Sequence, residues 1–172
     1  EFGTDQPLPS GVVPLSSHEI AARLSFFLWR SAPDAALLSA AQANQLQTPT
    51  QIESQARRML QDPRAKVAVG RFHLEWLKLA YPEAGAANEA EAIAAIEDTV
   101  RTVTELTYTD NGDFKDLFSV SYGFLNDVTK DLYSVTGSAT TLGSNGFDKY
   151  ALDPVQRGGI LSRAGFLSFN TP

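Results

Sequence analysis

The chain has 172 residues, 43% of them apolar, with 14 Lys and Arg against 20 Asp and Glu, for a formal net charge of −6. That length and apolar content suit one globular domain with its own core. The absence of cysteine excludes disulfides, thiolate metal sites, a cysteine nucleophile and CxxCH haem attachment within the chain, and the acidic balance argues against nucleic-acid binding by bulk charge.

Glu1–Thr4 reads as a cloning remnant and is set aside. A chain that begins this way is expected to be a piece of a longer protein. Residues 5–14 carry three prolines and no periodicity, so they read as an extended lead-in. Leu15–Arg30 (LSSHEIAARLSFFLWR) is the most apolar helix-like stretch. Ser16 and Glu19 have capping-box spacing, and Leu15 with Ile20 can form a hydrophobic staple. At helical periodicity Ile20, Ala21, Leu24, Phe27 and Leu28 form one apolar face and Ala22, Phe26 and Trp29 a second. A helix over 17–30, gripped on two sides, is expected. Arg23 falls at the seam between those faces and needs an acid, with Glu19 in the favourable i,i+4 orientation.

Proline at the first helical turn then marks three further starts, at Pro33, Pro49 and Pro63. These predict helices over 33–44 (Leu37, Leu38, Ala41 inward), 49–61 (Ile52, Ala56, Met59, Leu60 inward, capped by Thr48 and Gln51) and 63–79. Residues 80–88 form a loop. Asn88 with Glu91 suggests a cap for the longest helix, 89–109, in which Ile93, Ile96, Val100, Val103 and Leu106 recur at spacings of three and four. Its acidic residues are expected on the solvent side, and Glu105, unfavourable near a helix C-terminus, is expected to have a partner, with the arginines as candidates. The acidic charge is concentrated here: residues 83–113 hold eight acidic residues against Arg101 alone. Phe114–Phe118 reads as a single turn, Tyr122–Leu125 as a short aromatic segment, and 127–134 as a helix capped by Asn126. Ser134–Gly146 (SVTGSATTLGSNG) has little to bury, so 134–154 reads as a long Ser/Thr/Gly-rich loop. One more short helix is expected within 156–169. No fixed-period repeat occurs.

Chemistry is sparse. The two histidines, His18 and His73, sit in no recognisable catalytic or haem-ligating context. There is no HExxH, no GxGxxG and no Walker loop. Asp110–Asp116 is acidic but lacks the alternating ligands and closing Glu of a calcium loop, so it reads as polar turn chemistry at a helix end. Glu97, Asp98 and Glu105 share one helix, and the amphipathic pattern turns them to solvent, which argues against a paired-carboxylate site. Trp29 and Trp76, with Phe26, Phe27, Phe72 and Tyr81, read as core aromatics. Tyr122, Phe124, Tyr133 and Phe147, beside the glycine-rich loop, are the first choice for an exposed contact surface. Arg23, Arg58 and Arg157 are the arginines expected to need acids, with Glu19, Asp34, Asp62 and Glu105 to supply them, all as structural ion pairs rather than an active site.

Several stretches in order resemble one family: SSHEIAARLSFFLWRSAPDAALL (16–38), QARRMLQDPRA (55–65), FHLEWLKL (72–79), DFKDLFSVSYGFLNDVTKDLY (113–133) and RGGILSRAGFLSFNTP (157–172). Together they resemble the DUF1592 domain of bacterial multidomain proteins. The resemblance implies a secreted or periplasmic setting beside c-type cytochrome modules, with haem on those neighbours and no cofactor in this chain. It implies no activity that can be carried over. The chain departs from the pattern after Tyr133, where an enlarged Ser/Thr/Gly loop begins.

The expected fold is therefore all-α, an irregular bundle of five or six main helices over 15–172 with the 134–154 loop near its end. The expected function is a non-catalytic module that positions a neighbouring cytochrome-like domain or docks a partner. Two other readings stand beside it. One is an extracellular ligand-binding module, for a glycan for instance, using 122–150. The other is a fragment of an enzyme whose site needs a missing domain. No uninterrupted apolar run reaches the ~20 residues of a membrane-spanning helix.

Overall fold

The structure is a computed structural model that describes residues 13–170, with side chains to Ser168. The expectations for 1–4 and for most of 5–14 lie outside the described residues. The chain divides into two compact units, one ending at Ala68 and the other beginning at Val69.

The first unit holds α1 (Ser17–Trp29), α2 (Ala35–Gln42), α3 (Pro49–Leu60) and the start of α4 (Pro63–Trp76). Three of its helix starts are those the sequence announces, while α2 begins at Ala35 rather than at Pro33. Ser16 Oγ accepts the Glu19 N–H at 3.3 Å while the Glu19 carboxylate accepts the Ser16 N–H at 2.8 Å. Thr48 and Gln51 reciprocate in the same way, and Asp34 caps α2 by accepting the Leu37 N–H at 2.9 Å. Each such cap satisfies helix-end donors that would otherwise be orphaned.

The buried face of α1 is not the expected one. Ser17, Ala21, Ser25 and Trp29, at four-residue steps, point inward, while Phe26 is 59% and Phe27 81% exposed. The reason is steric. Small side chains let the neighbouring α2 and α3 come close to α1. Their hydroxyls are also satisfied: Ser25 Oγ donates to Ala22 O at 3.0 Å and Ser17 Oγ accepts from Gln47 Nε2 at 2.6 Å. Trp29 anchors the face through its indole N–H, which donates to Met59 O at 2.8 Å.

The second unit is built on α5 (Glu89–Tyr108), the longest helix, against which several later elements pack. After α5 come a 3-10 turn at Phe114–Phe118, β1 (Tyr122–Leu125), α6 (Asp127–Tyr133), β2 (Thr141–Ser144), β3 (Phe147–Ala151), α7 (Pro154–Arg157), a second 3-10 turn at Ile160–Ser162 and α8 (Ala164–Asn170). The strands form one antiparallel sheet in the order β1-β3-β2. In it Tyr122 stands opposite Ala151 and Leu125 opposite Asp148, and Thr141 stands opposite Lys149 with a register irregularity before Ser144.

The sheet corrects the all-α expectation. The stretch read as an irregular 134–154 loop contains a β-hairpin, turned by Asn145 (φ 56°) and Gly146 (φ 77°). Two successive positive φ values are what a two-residue hairpin turn needs, and Asn-Gly is the pair that supplies them most readily. Strand β2 is exposed along its whole length. Its pairing is carried by the backbone, so it leaves no hydrophobic alternation in the sequence. The cap expected at Asn88 is also absent: that side chain makes no cap hydrogen bond, and Glu89 instead accepts the Gly85 N–H at 2.7 Å. The helix expected in 156–169 is split by Gly158–Gly159 into α7, a 3-10 turn and α8.

Two apolar clusters pack against α5. Leu74, Leu77, Leu79, Ile96, Val103, Leu106, Leu117 and Ile160 form one. Ala95, Leu125, Tyr133, Tyr150, Leu152 and Ala164 form the other, with the sheet. Gly146→Ala should place a Cβ in the left-handed region and destabilise the second unit by about 1 kcal/mol. Urea unfolding should show the loss, and amide exchange across 141–151 should accelerate before that of α5.

Candidate functional site

The most highly organised polar cluster in the second unit is one the sequence hides. Asp98 of α5 and Arg163, just before α8, are both fully buried, and an Arg163 Nη1 lies 3.1 Å from Asp98 Oδ2. Around this pair, Tyr133 OH donates to Asp98 Oδ2 at 3.0 Å, the Phe124 N–H donates to Oδ1 at 2.8 Å and Thr102 Oγ1 donates to Oδ1 at 3.2 Å. The other Arg163 terminal nitrogen donates to Tyr122 O, and Tyr133 OH in turn accepts the Ala164 N–H at 2.9 Å. Burial, and then the Asp98 charge, push the Tyr133 phenol well above its ordinary value, so it stays a donor.

The geometry around the pair explains two small residues. A Cβ on Gly123 would lie 2.8 Å from Asp98 Oδ1 and collide with Arg163. A Cβ on Gly165 would meet Thr99 Oγ1 and Ala95 O at about 3 Å. Glycine therefore lets β1 and α8 close onto α5. The cluster is enclosed and its carboxylate is saturated, so it serves as a structural clasp rather than a reaction centre. Sequence reasoning turned Asp98 to solvent because it followed the large apolar residues. The signal that could have found it is the small-residue stripe Ala92, Ala95, Thr99, Thr102 on α5, a face suited to close packing, with Asp98 beside it.

The residues singled out from sequence fall elsewhere. In the first unit Arg23 and Arg58, two of the arginines expected to need acids, are exposed. Glu19 closes the capping box on Ser16. Arg58 forks onto Asp34 at 2.8 and 3.1 Å. Arg64 grips Asp62 at 2.7 Å and lies 3.5 Å over the Trp29 ring. The Arg58 hydrogen bond is the main cause of a lowered Asp34 pKa, and the Arg64 hydrogen bond holds Asp62 at about 2. In the second unit Glu105 pairs with Lys149 at 2.9 Å. Arg157 lies 5.0 Å over the Tyr133 ring. The expected contact surface is not assembled as an open platform: Tyr133 and Phe147 are buried, with Arg101 over the Phe147 ring, and Tyr122 and Phe124 are half-buried. Of the four rings only Tyr122 and Phe124 are left partly open to a ligand at 122–150.

The exposed aromatics lie elsewhere, and they include residues read as core. In the second unit Phe72, Trp76, Phe114 and Phe118 are 41–56% exposed. The Trp76 ring is 5.4 Å from Phe114 and 6.3 Å from Phe118, and those two are 5.7 Å apart. His73 lies beneath, edge-on to Phe72 and Trp76. Its Nδ1–H donates to Val69 O at 2.8 Å, which leaves a buried Nε2 lone pair with no partner among the described residues. Burial lowers its pKa from the ordinary value, and the Val69 bond opposes this only in part. Among the described residues no group of three or more His, Asp or Glu converges to hold a metal ion, and no helix is long and apolar enough to cross a membrane.

Asp98→Asn should leave the Arg163 charge buried without its counterion and cost about 3–5 kcal/mol, whereas Asp98→Leu with Arg163→Met and Tyr133→Phe should recover most of that loss. Denaturant midpoints of the single and combined variants decide it. For His73 the folded state resists protonation, so the unfolded state binds the extra proton. Stability should therefore fall as pH drops below about 6.5. Thermal melts between pH 7.5 and 5 should show that slope, and His73→Phe should flatten it.

No curated protein matches the chain, and no solved structure does. The family profile described as "PSD4: Protein of unknown function (DUF1592)" matches residues 15–135, about seven-tenths of the sequence. The match takes in α1 through α6 and with them Asp98 and Tyr133, and it stops before the β2–β3 hairpin and Arg163. By that match the chain belongs to the DUF1592 (PSD4) family.

Proposed function

We propose that this chain is a non-catalytic docking module of a larger secreted or periplasmic redox protein, holding a neighbouring cytochrome-like domain, or another partner, through the ring surface of its second unit. The supporting observation is the cluster of Trp76, Phe114 and Phe118, three large rings in mutual contact and 41–56% exposed, with the exposed Phe72 one helical turn before Trp76. Scattered exposed apolar residues are ordinary, but a contiguous aromatic patch is the composition of an interface centre. The buried polar cluster around Asp98 and Arg163 supports the same reading, because its hydrogen bonds are directed at holding elements together. Haem, in this reading, belongs to the neighbouring domain.

The test is binding of the separately expressed flanking domains of the full-length protein, followed by calorimetry. Phe114→Ser and Trp76→Ala should each weaken association at least tenfold while leaving the circular dichroism unchanged. Haem held firmly by the purified chain, or turnover by the chain alone, would overturn the reading.

A further inference from the structure

We infer that an open apolar groove on the first unit is a docking slot for an amphipathic helix of a partner protein, which presents a carboxylate to Arg23. The inference goes beyond the docking reading above and concerns a different surface. The groove has a volume of about 490 Å³ and is lined by Leu15, Ile20, Arg23, Leu24, Phe27 and Ile52. It exists because α1 packs inward on Ser17, Ala21, Ser25 and Trp29, which leaves Phe27 exposed and Ile20 and Leu24 half-buried. Ile20, Leu24 and Phe27, at spacings of four and three, form a ridge of the kind that meshes with another helix.

Shape decides between classes of occupant. A small-molecule site encloses most of its ligand. This groove is open along one side, so it suits a helix laid in it with anchors at i, i+3 or i+4, and i+7. Charge decides further. Among the described residues Arg23 is the one charged residue on the lining and makes no ion pair, and it is exposed. Glu19, one turn away, accepts from the Ser16 N–H and hydroxyl. A partner seated on the ridge must meet the guanidinium, and an Asp or Glu at its rim does so with least desolvation cost. A second copy of this chain fits poorly. An isologous contact puts the same face on both sides, and the described lining brings a second Arg23 but no acid to meet the first. A membrane surface fits poorly too, because interfacial helices carry several cations and this groove offers one.

The test is selection from a displayed library of helices, each about 18 residues or five turns long, against the 172-residue chain, with affinity then measured on Phe27→Ser and Arg23→Glu. Both positions are exposed, so the fold should survive, and circular dichroism checks that it does. Selected helices should carry Leu, Ile or Phe at i, i+3 or i+4, and i+7 with Asp or Glu alongside. Each substitution should cost at least tenfold, and replacing the peptide acid by Lys should restore binding to Arg23→Glu. Binders insensitive to both substitutions would overturn the slot. So would a dimer in sedimentation that Phe27→Ser dissolves, or binding to phosphatidylglycerol vesicles that Phe27→Ser abolishes. Binders lost only on Phe114→Ser would overturn the slot while leaving the docking reading standing. Haem or turnover in the isolated chain would overturn that reading and leave the slot.

Discussion

The second unit depends on a carboxylate and a guanidinium brought together out of water. Asp98 and Arg163 bring to one point a helix, a strand, the hydroxyl of a second helix and the start of a third. A buried pair of this kind adds little net stability over an apolar core of equal volume, but losing one member is expensive. Its effect is therefore on uniqueness. β1 must present the Phe124 N–H, α6 must bring the Tyr133 hydroxyl, and α8 must begin where Ala164 can donate to that hydroxyl. A slipped register or a rotated helix would leave a charge unpaired.

That constraint was largely illegible in the sequence, while the helix starts were plain. Ser16 with Glu19, and Thr48 with Gln51, are short-range patterns whose chemistry is complete within four residues. Asp98 and Arg163 are 65 positions apart, and nothing local ties them. The sheet was missed for a related reason. Its outer strand, Thr141–Ser144, is exposed throughout and has no apolar face to betray it. The one local sign was the Asn145–Gly146 pair, embedded in Ser, Thr and Gly that otherwise read as a loop.

The inward and outward faces of α1 show a second limit. Hydrophobic periodicity places large side chains inside, and Ile20, Leu24 and Phe27 met that pattern. The structure uses Ser17, Ala21 and Ser25 as the inner face instead, because close approach of the neighbouring helices needs small residues. Large apolar groups left outside are then available for recognition. The same holds for Phe72 and Trp76, which look like core residues in sequence and end exposed. Arg23, at the seam of the two apolar faces in sequence, lies on the surface for the same reason as Phe27.

The distance along the chain between the members of the clasp also governs how the second unit can assemble. A nascent chain emerges from its N-terminal end, so α5, β1 and α6 leave the ribosome well before Arg163 does. Until then Asp98 has hydrogen-bond donors but no counterion, and burying it is opposed. The apolar clusters on α5 are likewise incomplete, since Ile160 and Ala164 belong to the same late segment. Long-range contacts of this sort slow folding and keep it from finishing early. The burial of Asp98 is thus complete only with the segment that carries Arg163 and Ala164, which is also the segment that completes the apolar clusters.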